Sequence, residues 1–277
     1  MSALWLSVVL AATPRVGTTL HPYDAWVRNI VDGTPVEVVA VLPAEIDAGN
    51  YQPNPEDVAR LRGLDALVVN GLGHDAFIEE MVKASGNSKL VLIRANDGVP
   101  LIKVWKGEAP NSHTFLSLSR AGQQVQVIAR TLGRLFPAWA KQFQTNAAVY
   151  VQKLRALKAE TLAAVKTARH HQVITVHDGY AYLLEELGLT LVGVVEPAHG
   201  LLPSAKELGA IVELIKTSHV EVVLSEETFP AAMVEVLKQN GARVAVISHI
   251  ATGDYSKDAF LDAMRANLKT LVAALNQ

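Results

Sequence analysis

Short apolar runs alternating with amphipathic stretches organise this chain. Val173–Val176 is a run of four apolar or β-branched residues and predicts a buried strand. His177 stands at its exit, and Asp178 and Gly179 lead into a helical pattern. Val222-Val-Leu-Ser-Glu226 and Val244-Ala-Val-Ile-Ser-His249 repeat that construction. In the second half the pattern predicts strands at 173–176, 191–195, 220–224 and 243–247, with helices between them and a last helix from about Lys257 to Leu275. In the first half it predicts strands over Arg15–Thr19, Val36–Leu42, Leu64–Asn70 and Lys89–Ile93. Helices open there at His21-Pro-Tyr, at Glu56-Asp57 and after Gly71-Leu-Gly-His74. Strand alternating with helix at this spacing predicts βαβ units and a parallel sheet.

Residues 94–112 show no regular pattern, and His113 opens the next helical region. Phe143, Ala147, Tyr150, Val151, Leu154, Leu157 and Val165 then follow helical spacing, with no Gly or Pro between Ala138 and Gln172. This predicts one helix of about 25–30 residues, roughly twice the average globular helix. The expected fold class is therefore α/β: two βα lobes with parallel sheets, joined by a single long linking helix. The expected divisions are 1–137, 138–171 and 172–277. A cleft between two lobes is a usual ligand site.

Composition narrows the partners. Half of the 277 residues are apolar and 19% are charged, enough for a sizeable core and little disorder. A net charge of −2 gives no reason to expect nucleic acid or an anionic membrane surface as partner. The absence of cysteine excludes disulfides, thiolate ligands and a cysteine nucleophile. No run reaches the roughly 18–20 apolar residues of a membrane span. Leu4–Ala12 resembles the apolar core of an export signal, with Val9-Leu-Ala11 as a cleavage site, although no Lys or Arg precedes it. A retained first strand is the other reading of that stretch.

The candidate chemistry lies in the nine histidines and in carboxylates at strand ends. Ligands in open α/β sheets bind beyond the carboxyl ends of the strands. That rule selects His177 and His249 from the second half and Glu226 beside them; His113, at the start of a helical region, is the candidate from the first half. Three neutral imidazoles with an oxygen ligand or water suit a tetrahedral zinc site. Glu226 would be a fourth ligand or would orient an imidazole N–H. His21 and His74 follow first-half strands and would cap, pack or face the cleft. His170 and His171 read as exposed, His199 as a loop residue, and His219 precedes its strand and so lies at the wrong end of the sheet. No Gly-x-Ser-x-Gly turn, phosphate-binding Gly-Lys loop or His-Glu-x-x-His helix is present.

Several of these segments together resemble the metal-binding solute receptors of ABC importers for zinc or manganese. The likeness runs from about Thr18 to Leu275. Thr18–Tyr23 resembles the first-strand exit of those receptors, and Asn50–Val58 their Tyr-Glu-Pro-x-Pro-x-Asp segment. Asp65–Gly73 is similar to their strand-turn motif, Asn111–Phe115 to Asn-Pro-His-x-Trp/Phe, and Val176–Tyr182 to His-Asp-Ala-Phe-x-Tyr. The resemblance places His113 and His177 at ligand positions, and His249 where many members carry aspartate. One departure is plain: the first ligand of the family is a histidine where this chain has Gly49. Water, His21, His74 or Glu226 would then complete the set. The resemblance implies an exported, periplasmic, monomeric receptor that is not an enzyme. It would hold Zn2+, and Mn2+ less readily, between its lobes and dock on a membrane permease. Two rival readings are a zinc hydrolase with Glu226 as base, and a receptor for a metal chelate with Gly49 making room.

Overall fold

Two four-stranded sheets, parallel throughout, form the frame of the molecule in a computed structural model that describes residues 13–196 and 201–277. The apolar run at 4–12 and His199 lie outside the described residues. The first lobe contains β1 (Arg15–Thr18), α1 (His21–Ile30), β2 (Glu37–Ala40), α2 (Pro55–Arg60), β3 (Ala66–Val69), α3 (Ile78–Ser85) and β4 (Val91–Arg94). Helices α4 (Leu118–Leu135) and α5 (Ala140–Lys166) follow. The second lobe contains β5 (Gln172–Thr175), α6 (Ala181–Leu187), β6 (Thr190–Val194), α7 (Ala205–Ser218), β7 (Val222–Ser225), α8 (Ala231–Gln239), β8 (Arg243–Val246) and α9 (Ala259–Asn276). The sheet orders are β2-β1-β3-β4 and β6-β5-β7-β8, the same topology twice.

The central strands read as unbroken apolar runs because both faces of a parallel sheet are covered. Every residue of β3 and β7 is buried. Helix starts obey local chemistry. Asn54 and Asp57 form a capping box at α2, and Ser204 and Glu207 form another at α7. The helix expected to open at His113 instead begins at Leu118, after a single turn at Thr114–Leu116, because Ser117 Oγ accepts the Arg120 N–H and sets the N-cap there. In both sheets chain progression reverses direction at the first strand, between β1 and β3 and between β5 and β7. Side chains leaving these carboxyl ends share one crevice.

The long helix α5 has 27 residues, in agreement with the periodicity, and packs against α4, α1 and α9. A continuous core runs through it from one lobe to the other, including Trp26, Phe143, Tyr150, Leu183 and Phe260. Polar ties reinforce this union. Glu186 of α6 accepts the Leu118 and Ser119 N–H groups at 2.7 and 2.8 Å, so the second lobe caps a helix of the first. The stretch after β8 is strapped to the first lobe in the same manner. Gly253 N–H donates to Ala44 O at 2.9 Å, Tyr255 Oη–H to Leu42 O at 2.9 Å, and Asn29 Nδ2–H to Lys257 O at 2.6 Å.

Candidate metal centre

Three imidazoles meet between the lobes. His177 leaves β5 in extended conformation before a one-turn helix at Asp178–Tyr180. His249 follows β8, and Asn267 of α9 grips the peptide before it from both sides. The Asn267 carbonyl oxygen accepts Ser248 N–H and its amide donates to Ser248 O, each at 2.7 Å. His113 comes from no strand end. The irregular segment 95–112 delivers it, bound to the second lobe through Trp105 N–H to Asp178 Oδ2 at 2.7 Å and Tyr182 Oη–H to Asn111 O at 2.8 Å. All three rings are buried, and the nitrogens they offer lie within 4.8 Å of one another.

A hydrogen bond at His113 and a nearby carboxylate at each of the other two rings decide which nitrogen each ring presents. Asn111 donates its amide to Asp178 O at 3.0 Å, so its Oδ1 is the acceptor for His113 N–H at 3.0 Å and for His113 Nδ1–H at 2.8 Å. Glu196 Oε2 stands 3.5 Å from His177 Nδ1, and Asp47 Oδ2 stands 3.8 Å from His249 Nδ1. A carboxylate facing Nδ1 keeps the proton there and leaves the lone pair on Nε2. His113 Nε2 and His177 Nε2 then face each other at 3.1 Å. Lone pairs converging in a buried space repel unless a cation takes them up. A tetrahedral ion with Zn–N bonds of about 2.0–2.1 Å needs nitrogens roughly 3.4 Å apart, and a small rotation of the rings supplies that.

Burial pushes the His249 imidazole down to about 4 from 6.5, against the raising effect of Asp47, so the ring is neutral and ready to donate at neutral pH. Between these two values the unfolded chain binds a proton that the folded chain refuses, so stability of the metal-free protein falls as pH drops through that window. The full loss below it is on the order of 3 kcal/mol. Urea unfolding of the metal-free protein at pH 7 and pH 5 is expected to show the part of this loss that has accrued by pH 5, about 2 kcal/mol, and His249→Gln is expected to flatten it. Equal pH slopes in the two proteins would contradict it.

The other expected donors are placed differently. His21 does not reach the cluster: its Nε2 lies 2.6 and 3.0 Å from the carbonyls of Gly253 and Asp254, so it carries the proton as donor, and its ring stacks on Tyr255 at 5.1 Å. Its position at the first turn of α1 directs it to the strap. Glu226 leaves β7 beside the cluster and acts on Tyr180, whose phenol is raised by burial first and then by the Glu226 charge. That phenol donates to Ile247 O at 3.1 Å. His74 packs edge-on against His113 with centroids 4.9 Å apart, its Nδ1 3.3 Å from Ser112 Oγ and its Nε2 3.5 Å from Asp47 Oδ1. Asp47 and Glu196 were not selected from the sequence. Glu196 follows β6 and obeyed the same strand-end rule as Glu226. Asp47 sits in a turn-rich loop where its Asx turn to Gly49 N–H, 2.9 Å, reads as purely structural. A cavity of about 660 Å³ lined by Val104, Trp105, Glu196 and Ile211 opens beside His113 and His177 and gives access to them.

Twin parallel-sheet lobes with buried nitrogen donors between them define a metal-site receptor fold, and the similarities of the whole chain agree with that class. The profile described as zinc-uptake complex component A, periplasmic, matches residues 16–274, and the chain belongs to that family. FpvC of Pseudomonas aeruginosa, solved in complex with Ni2+ and separately with Mn2+, superposes with a TM-score of 0.88 at 42% identity. The Ni2+ complex covers 95% of this chain and 97% of that one. The high-affinity zinc uptake system protein ZnuA of Bacillus subtilis is 24% identical over 281 residues, 94% of this chain and 87% of its own. The zinc-binding protein AdcA of Streptococcus pyogenes is 23% identical over 93% of this chain, which spans 55% of its length. The chain spans about half the length of the AdcA relatives that it matches.

Proposed function

We propose that this chain is the solute-binding component of a metal ABC importer, capturing Zn2+ at His113, His177 and His249 and delivering it to a membrane permease. The observation that carries the reading is the shared orientation: each ring has Nδ1 turned to a protein oxygen, and the ligand nitrogens of all three lie within 4.8 Å of one another. Imidazole-rich sets favour zinc over manganese, which prefers harder oxygen donors. FpvC has been seen with Ni2+ and Mn2+, so those ions are the natural competitors. In this reading residues 1–137 and 172–277 are the two jaws and 138–171 the brace between them. The protein works as an exported, periplasmic monomer, and no helix of the described residues is long and apolar enough to cross a membrane.

A hydrolase would need a base poised over a metal-bound water. Glu226, the group named for that task, is not one of the donors that gather within 4.8 Å of one another, which among the described residues are His113, His177 and His249, and this favours binding over turnover.

Competition titrations of the metal-free protein with a chromophoric chelator test the proposal. The expected result is one Zn2+ per chain, held at least about 100-fold more tightly than Mn2+ in keeping with the Irving–Williams order. Failure to bind any of Zn2+, Ni2+ and Mn2+, or tightest binding of Mn2+, would overturn it.

A further inference from the structure

The floor of the three-histidine cluster is a backbone with no side chain. A Cβ built on Gly179 would stand 2.8 Å from His249 Nε2, 2.8 Å from His177 Cδ2 and 3.1 Å from His177 Nε2. Carbon atoms do not approach ring atoms that closely, so a methyl group there would displace the two nitrogens that face the common centre. The backbone itself makes no such demand, since Gly179 is not among the residues with positive φ and alanine fits its conformation. The glycine is needed by the imidazoles, not by the turn.

We infer that Gly179 is a specificity-determining residue: its missing side chain makes room for a third imidazole at position 249 and so commits the site to nitrogen donors. This rests on the metal-capture reading above. The two positions are matched in size. An aspartate is shorter than a histidine and ends short of the space a Cβ would fill. With aspartate at 249 the 2.8 Å approach of a Cβ to the His249 ring is relieved, and only the contacts with the His177 ring, 2.8 and 3.1 Å, are left for that ring to give way to. Exchanging an imidazole for a carboxylate also hardens the donor set and moves preference toward manganese. Residues 179 and 249 thus act as one selectivity element, although Gly179 touches no ion.

A double-mutant cycle tests the inference. Affinities for Zn2+, Ni2+ and Mn2+ are measured by chelator competition on metal-free wild type, Gly179→Ala, His249→Asp and the pair, with Co2+ absorption spectra as a report on ligand geometry. Gly179→Ala is expected to weaken Zn2+ and Ni2+ by about 10–100-fold, the range found when a ligand's support is disturbed. Its Co2+ bands should shift while the metal-free unfolding midpoint stays put. The double variant is expected to bind Mn2+ at least tenfold more tightly than the two single losses predict, with a narrowed preference for Zn2+. Wild-type affinity in Gly179→Ala, or strictly additive losses, would overturn the inference. If Gly179→Ala misfolds, rescue of folding by His249→Asp supports it and misfolding of both variants counts against it. A wild type that binds none of the three ions would instead defeat the capture reading itself.

Discussion

His177→Ala is expected to cost about two to three orders of magnitude in zinc affinity while leaving the fold intact. Structural zinc sites with four protein ligands bind with about 10–16 kcal/mol, roughly 2.5–4 kcal/mol per ligand. Tenfold in affinity corresponds to about 1.4 kcal/mol, which converts one lost ligand into that range. His177 is the clearest place to look because its Nε2 lies 3.1 Å from His113 Nε2 and its removal leaves Glu196 without the ring that it faces at 3.5 Å. The side chain packs at the cleft rather than in the apolar core, so the unfolding midpoint of the metal-free variant should move little. Chelator competition reads the affinity and circular dichroism the fold. Zinc affinity within threefold of wild type would mean that the ion sits elsewhere.

The largest loss of stability is expected from Trp26→Ala, about 3–5 kcal/mol, the range for emptying a buried aromatic site. Trp26 of α1 is fully buried between Tyr23, 5.3 Å away, and the edge of Phe260, 5.1 Å away on α9. Aromatic pairs of this kind add about 0.5–1.5 kcal/mol beyond area burial. A typical domain has about 5–15 kcal/mol in total, so the variant would lose a large part of its margin. Because Trp26 and Phe260 belong to one core spanning both lobes, the variant should still unfold in a single transition, at a lower denaturant concentration. Two separated transitions would show that the lobes are held together by something other than this packing.

Much of this architecture was legible in the residues themselves. Buried parallel strands force apolar runs such as those at β3 and β7, and the uninterrupted period of α5 announced a long helix. Strand ends also led to His177 and His249, because an open parallel sheet sends side chains from those ends into one crevice. His113 had no such local cue and was reached through the Asn-Ser-His segment, since the irregular stretch before it is held by turns of its own and by bonds to the other lobe that no periodicity reveals. His21 followed the strand-end rule and yet turned to the carbonyls of the strap, because proximity to a sheet edge does not decide where a ring on a helix's first turn points. Asp47 escaped for the opposite reason: its value lies in contacts with His74 and His249, far away in the chain, while its own surroundings describe an ordinary turn. Residue types and periods carry short-range information, and the second layer of a site is long-range.

The strap between Ala44 and Gly253, with Glu186 seated on α4, has a kinetic meaning. Fastened on both flanks, the molecule spends little entropy on becoming ordered when an ion arrives, and it has no easy way to relax its grip afterwards. Spontaneous escape should therefore be slow, as the tight hold of a preorganised site requires. Prompt unloading would require an outside force that pries these fasteners apart.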